Sequence, residues 1–413
     1  MTDNSNTNMN EELHLIGQYK LSNIFDFKKI NDEEYLKDCG LKMNKYKDYK
    51  IIKYNKEILD CYKNGLIRSL VFKNNKLVSF SPVKSIPLDD FEKKAFHKDK
   101  IVYEEFVEGT MINAFYTGDE WEIATRSLVG ARGKFFKDQE LTFRTMFLEC
   151  MNECGLEFEH LNKHLVYSFV ISHPKNRIVA KVREPQLYLC EVYQIINKEN
   201  EIIVNQYSLD DFNYLEQYVY FPNIFTDVNS IKNAKEMYGN SIDTPYQIMG
   251  VVLKYQQDDH TLIRSKIRNP NYEKVKQLRG NQPKIQFQYI NLRKCGKVRD
   301  FLTFYPEFKN QFTTFRQQIH DYTNNLFNYY ILCYIKKFKS LNKFPLEYRT
   351  HMYNLHQNYI KNLMPQQKYT SREEVIKYVN SLEPELLMYC LNYKLREQKI
   401  KENSEKNELT DSV

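Results

Sequence analysis

Polar and apolar residues alternate in short runs through the middle of this 413-residue chain, the period-two pattern of half-buried strands. Ile101 to Val107 is one such run, broken by Glu108-Gly109. Met111 to Tyr116 and Trp121 to Thr125 form a hairpin across Thr117-Gly118-Asp119-Glu120. Leu165 to Ser172 and Gln186 to Ile196 flank the loop His173-Pro174-Lys175-Asn176, and Tyr246 to Tyr255 pairs with Thr261 to Ile267 across Gln256 to His260. Phe143 to Cys154 reads instead as an amphipathic helix, with Met146, Phe147 and Met151 on its apolar stripe. Beyond about residue 269 the spacing turns helical. Phe301, Phe304, Phe308, Phe312 and Phe315 read as core. Thr370 and Ser371 before Glu373 and Glu374 mark a helix start, and that helix is expected to run to about Gln398 through Val375, Val379, Leu382, Leu386 and Leu387.

These patterns give an α+β protein of antiparallel sheets with flanking helices, followed by a mostly α-helical domain. Four zones are expected: an N-terminal tail and lead-in over 1–45, the strand-rich domain over 46–268, a basic helical domain over 269–400, and a disordered charged tail over 401–413. Apolar residues make up 42% of the chain, enough for a core. No apolar run reaches the ~18 residues of a membrane span, and the polar start lacks a signal peptide's basic and apolar regions, so no membrane partner is expected. Eight cysteines are scattered with no CxxC pair, as in a reduced, intracellular protein. Cys150, Cys154, His160 and His164 carry zinc-ligand chemistry, but their tight spacing on one helix and its exit reads as packing, and no metal site is assigned. Ala occurs only six times while Lys, Asn, Ile and Tyr are abundant. That is the mark of AT-rich codons, and it discounts the richness in Tyr.

Charge is uneven. From Lys266 to Arg372 there are 20 Lys and Arg against 5 Asp and Glu, so a +7 chain has −8 outside that stretch. Clustering of that kind favours a polyanionic partner. Arg264, Lys266 and Arg268 fall on one strand face, with Ile263 and Ile267 on the other. Three neighbouring cations repel one another unless an anion lies among them. Lys274 to Lys297 interleaves basic residues with Gln, Asn, Phe and Tyr, and Lys274, Lys276, Arg279, Lys284, Arg293 and Lys294 are candidates for RNA phosphates.

The order of short motifs between Arg68 and Lys274 resembles that of ATP-dependent RNA ligases of the phage tRNA-repair type, in the nucleotidyltransferase superfamily. Arg68 in IRSLVF and Lys84 in FSPVKS stand where that family places phosphate-facing cations. Its first motif, Lys-x-Asp/Glu-Gly, is matched by Phe106-Val107-Glu108-Gly109-Thr110, and Arg126 stands where a later Lys is expected. Pro174-Lys175-Asn176-Arg177-Ile178-Val179 matches the end of the third motif, Met249-Gly250-Val251-Val252 the fourth, and Lys266-Ile267-Arg268 the fifth. The resemblance implies a nucleotidyltransferase (adenylation) domain. It also implies that Arg68, Lys84, Glu108, Gly109, Arg126, Lys266 and Arg268 serve nucleotide or phosphate binding.

Three departures bear on chemistry. The family's nucleophilic lysine is Phe106 here, and a benzene ring has no lone pair with which to attack a phosphorus. Its motif-three and motif-four carboxylates align with Val170 and Met249, which offer no oxygen to a Mg²⁺ ion. No catalytic residue is therefore assigned. Three readings stand. The first is a pseudoenzyme that binds RNA or nucleotide. The second is an active RNA ligase using a relocated lysine, Lys84, Lys98 or Lys100, with ATP and Mg²⁺ as cofactors. The third is an interaction protein whose old cleft is filled by Phe106, Val170 and Met249. AT-rich composition and a divergent ligase together resemble proteins of large DNA viruses, which implies a cytoplasmic location.

Overall fold

The computed structural model describes residues 13–60, 64–135, 141–240 and 242–410. Two compact units divide the chain, the first ending at Lys276 and the second beginning at Gln277. The boundary falls inside the helix Pro270–Arg279.

Among its described residues the first unit holds thirteen strands: β1 Leu15–Lys20, β2 Leu41–Tyr46, β3 Tyr49–Tyr54, β4 Leu70–Lys73, β5 Lys76–Phe80, β6 Val102–Glu105, β7 Thr110–Tyr116, β8 Trp121–Ala124, β9 Leu165–Ser172, β10 Gln186–Asn197, β11 Ile202–Tyr207, β12 Gly250–Gln256 and β13 Leu262–Arg268. They build three antiparallel sheets, ordered β1-β11-β10-β9-β7-β8, β13-β12-β6 and β2-β3-β4-β5. The lead-in over 1–45 thus supplies β1, an edge of the largest sheet, and most of β2.

Alternation along the strands gives the six-stranded sheet two buried faces. On one, Val166, Tyr193 and Phe115 join a core shared with β2–β5, where Phe80 lies 5.4 Å from the Tyr19 ring and 5.0 Å from the Tyr193 ring. On the other, Tyr167, Phe169, Ile112 and Leu189 pack under the helix Phe143–Cys154, Phe147 reaching Phe169 at 5.7 Å. Thr142 caps that helix by accepting the Thr145 N–H at 3.1 Å. The three-stranded sheet has its own core against the helices Leu88–Lys94 and Ile231–Tyr238.

A buried ionic network ties β10 of the large sheet to β6, β12 and β13 of the small one. Glu191 accepts from Arg264 at 2.8 Å and from Gln206 at 2.8 Å, and also from the Tyr193 hydroxyl. Lys254 donates to Glu104 at 2.7 Å and lies 3.7 Å from Glu191. Burial alone would raise the Glu191 carboxyl above the usual range, but Lys254 and Arg264 outweigh it and hold the group low.

The second unit is all helical. Its longest helix, Lys309–Tyr330, continues into a π-helical turn, Ile331–Ile335, and the helix Leu346–Asn358 continues into another, Tyr359–Leu363. Phe301 and Phe312 are buried with rings 5.0 Å apart, while Phe304, Phe308 and Phe315 are half-buried around them. The helix starting after Ser371 does not reach Gln398. It stops at Ser381, and separate helices follow at Pro384–Leu391 and Tyr393–Thr410. Pro384 has no N–H for the preceding turn and serves at the start of a new helix. The segment expected to be a disordered tail, 401–413, is helical as far as Thr410, and 411–413 lie outside the described residues.

Removing one member of a buried ion network leaves its partners charged and unpaired, at a cost of about 3–5 kcal/mol. Glu191→Ala is therefore expected to lower the urea midpoint of the first unit by an amount equivalent to that range, measured by far-UV circular dichroism.

Candidate functional site

The cleft of interest lies where β6 ends and β12 begins, beside the loops after β9. Phe106 follows β6 and donates its N–H to the Gly250 carbonyl at 3.3 Å. Two glycines let these backbones meet. A Cβ on Gly109 (φ +157°) would fall 2.3 Å from the Ile171 carbonyl oxygen, and one on Gly250 (φ +137°) only 2.1 Å from that of Ile267. Neither space admits a methyl group, and both φ values lie in the region that side chains avoid.

The Pro174–Val179 loop is clamped to the same place. Asn176 donates to Thr110 Oγ1 at 3.0 Å, and the Glu108 carboxylate accepts the backbone N–H groups of Val179 and Ala180 at 2.9 and 3.0 Å. His173 anchors the other end of the loop, with Nδ1 accepting from Lys175 N at 3.2 Å and Nε2 2.9 Å from Glu149. Glu108 was grouped with the phosphate-binding residues. A carboxylate has only acceptor atoms to offer a phosphate, and here it holds the loop.

Backbone bonds also gather the cations. Ser81 N–H donates to the Ser69 carbonyl at 3.0 Å, and Lys84 N–H to that of Gly65 at 3.2 Å. Ile86 N–H donates to the Arg264 carbonyl at 2.9 Å, while Ser265 Oγ donates back to Ile86 O at 2.9 Å. The segments carrying Arg68 and Lys84 are thereby laid against β13. Arg126, just past β8, stacks on the Tyr54 ring at 4.6 Å.

Within this group, Lys266 stands out. Its Nζ is 5.3 Å from the Phe106 ring centroid, and Arg268 Cζ is 5.8 Å from the same ring. Burial, with Arg268, Arg264, Arg68 and Lys84 close by, pulls the Lys266 amine down to about 7. Burial, with Arg264 and Arg126 nearby, likewise lowers Arg68 to about 10. The structure thus brings together Arg68, Lys84, Arg126, Lys266 and Arg268.

The β13 stripe is not three equivalent cations, however. Arg264 is neutralised by Glu191. Arg268 pairs with Glu273. Lys266 has no carboxylate within ion-pair distance among the described residues. Buried Arg126 Nε has no hydrogen-bond partner. A donor left unsatisfied at that depth costs free energy until an acceptor arrives. An anion beside Lys266 would offset the repulsion of Arg268, Arg68 and Lys84.

Val170 and Met249 are half-buried beside this cleft. A cavity of about 680 Å³ lies next to Phe106, walled also by Met249, Tyr188, Phe225 and Tyr238; Lys181 and Arg183 line it together with Glu105, Glu108 and Glu184, while Arg68, Lys84, Arg126, Lys266 and Arg268 do not. The phosphate half of an ATP fits the residues present. A divalent metal does not, because Val170 and Met249 supply no oxygen where the resemblance puts ligands, and no group of three or more His, Cys, Asp or Glu suited to a metal occurs among the described residues. Cys150 sits in the helix core with its thiol pushed up to about 12 by burial, while His160 stacks on Tyr218 at 4.4 Å.

The other lysines weighed as nucleophiles point elsewhere: Lys98 donates to the Glu92 carbonyl, and Lys100 lines a separate cavity. Sequence reasoning missed Glu191 and Glu273, which cancel two cations of the stripe, and Lys53, which burial and Arg126 depress. No local pattern marks them, since each acts across a sheet or a turn.

Of the six RNA candidates, Lys274 and Lys276 belong to the first unit and the rest to the second. Lys274 and Lys284 are exposed, Arg293 is half-buried, and Lys276 lies over the Tyr272 ring at 5.5 Å. Arg279 is buried, which takes it away from a solvent-borne partner. Lys294 pairs with Glu383 at 2.7 Å.

No family model matches the chain, and no curated protein matches its sequence. Among solved structures it is similar to ATP-dependent DNA and RNA ligases. A putative ATP-dependent DNA ligase from Aquifex aeolicus is 14% identical with a TM-score of 0.37, over 80% of this chain and 79% of that one. Naegleria gruberi RNA ligase with PPi is 13% identical with a TM-score of 0.32, over 48% of this chain and 64% of that one. A mutant of the Naegleria enzyme with ATP and Mn is 12% identical with a TM-score of 0.32, over 46% and 54%. Among the described residues no helix is long and apolar enough to cross a membrane.

An anion in the cleft would return the Lys266 amine to its charged form, so binding takes up a proton above about pH 7. Affinity for inorganic sulfate, which does not titrate in this range, is expected to fall as pH rises past 7, by up to about tenfold per unit. Below pH 7 the dependence should level off. Calorimetry in buffers of different ionisation enthalpy reads both affinity and proton uptake.

Proposed function

We propose that the first unit is a ligase-like nucleotidyltransferase domain that grips the phosphates of a nucleotide or of RNA, and that it has lost self-adenylylation at the usual position. The observation that carries this reading is the convergence of Arg68, Lys84, Arg126 and Lys266 on a cleft where Lys266 has no carboxylate partner among the described residues and Phe106 holds the nucleophile's place. Charge-assisted bonds to phosphate are what such a set of donors forms best. The cavity beside Phe106 favours a bound ligand over a filled cleft.

Capture of a nucleoside triphosphate without reaction follows from the residues present. The cations neutralise phosphate charge on one side of Phe106, and in the cavity that Phe106 also lines, which those cations do not reach, Tyr188, Phe225 and Tyr238 offer surfaces for a planar base. The step that would follow in a ligase, formation of a phosphorus–nitrogen bond with loss of pyrophosphate, has no amine at position 106. This reading makes RNA and nucleotides the partners and the chain a non-catalytic relative of RNA ligases.

Incubation with radiolabelled ATP and Mg²⁺, then a denaturing gel, is expected to show no covalent AMP on the protein; a labelled band at the protein's mass overturns the reading. Arg68→Ala with Lys266→Ala should weaken equilibrium binding of ATP at least about tenfold, as loss of charge-assisted contacts requires. Unchanged affinity would remove the phosphate cradle from the argument.

A further inference from the structure

The second unit carries a surface that the cleft does not explain. Between Asp321 and Glu373 the sequence holds eight Lys and Arg and a single carboxylate, Glu347, and that carboxylate is buried. Three of these cations, Lys336, Lys337 and Lys339, follow the end of the long helix directly. Its π-helical turn Ile331–Ile335 leads into Lys336, Lys337, Phe338 and Lys339, all exposed. Phe338 N–H donates to the Leu332 carbonyl at 2.9 Å, which folds this segment back on the helix end.

A second segment is tied to the same end. Thr370 Oγ1 donates to the Tyr330 hydroxyl at 3.0 Å, and this places Lys368 and Tyr369 beside it. The second π-helical turn joins through stacked rings: Tyr334 lies 3.9 Å from His356, which lies 5.9 Å from Tyr359.

Two aromatic side chains at this place are left in water. Phe338 is 70% exposed and Tyr369 is 75% exposed. Each is flanked in sequence by lysine, Phe338 by Lys337 and Lys339, Tyr369 by Lys368. Large apolar groups held in solvent cost free energy that folding of this unit does not recover. The near-total absence of acidic groups selects a polyanion as the partner. A ring between cations meets both halves of a nucleotide, since bases stack on rings and phosphates bind lysine. Ile335 and Met364, also exposed, widen the apolar part of the surface.

We propose that the end of this helix, with the segments around Phe338 and Tyr369, is a docking surface for single-stranded nucleic acid. Lysines track the backbone and the two rings stack on unpaired bases. The surface belongs to the second unit and the cradle around Lys266 to the first, and the proposal rests on the nucleic-acid part of the reading above. It relocates the contact from the stretch 274–297, where Arg279 is buried and Lys294 is already paired.

Fluorescence anisotropy of the full chain with labelled oligouridylate tests it. Phe338→Leu with Tyr369→Leu keeps apolar bulk and removes both stacking rings; affinity should drop about thirtyfold or more, since each stacked base contributes about five- to a hundredfold. Phe338→Tyr with Tyr369→Phe should restore it. Lys336→Ala, Lys337→Ala and Lys339→Ala together should flatten the slope of log affinity against log salt by about 2. All these side chains are exposed, so melting temperatures should stay unchanged and confirm folding.

Equal affinity of the leucine variant and the parent overturns the proposal. So does binding of the parent to phosphatidylserine vesicles with no binding to oligouridylate, which would mark a lipid surface. Arg68→Ala with Lys266→Ala separates this surface from the cleft. If that variant loses oligouridylate while the leucine variant holds it, the cleft reading stands and this one falls.

Discussion

The buried ionic network around Glu191 is the constraint on which the cleft depends. It fixes β13 against β10 through Arg264 and Lys254, and Arg264, Lys266 and Arg268 alternate along one face of β13. A strand slipped by one residue would turn that face over and send Lys266 into the apolar core beside Val251. Glu191 pairs with the Arg264 Nη1 inside the protein, and the same contact aims the next cation at the cleft. Structural and functional charge thus share one strand, divided by which residue finds a carboxylate.

At position 106 the backbone is held in place whatever side chain it carries. Gly109 and Gly250 still permit the close backbone crossings on either side of it, and Glu108 still holds the Pro174–Val179 loop. The phenyl ring offers its face to Lys266 and Arg268, an attraction that relieves a little of their mutual repulsion. In the proposed reading the site keeps its architecture and its affinity for negative charge and lacks the atom that would react.

Much of this was legible in the chain. The strands from Leu165 to Ser172 and the helix from Phe143 to Cys154 follow from local periodicity, because each has an apolar face that burial rewards. The cations of the cleft were legible as a motif series. Their partners were not: Glu191 reaches Arg264 across two sheets, and Arg268 finds Glu273 around the turn into the next helix. Arg279 illustrates the converse, a basic residue in a basic stretch that packing withdraws from solvent. The break at Pro384 was visible as a residue without an N–H, yet Leu382, Leu386 and Leu387 kept a helical rhythm across it.

The crowding of positive charge around Lys266 has a bearing on the lifetime of the molecule. An empty cleft holds repulsion and an unsatisfied guanidinium nitrogen at Arg126, and whatever anion relieves them is bound only by the folded chain. Occupancy therefore protects against unfolding by simple mass action. If the cleft takes the anion proposed above, the protein is hardier loaded than vacant, and in a cell that clears unfolded chains its abundance would follow the supply of that ligand.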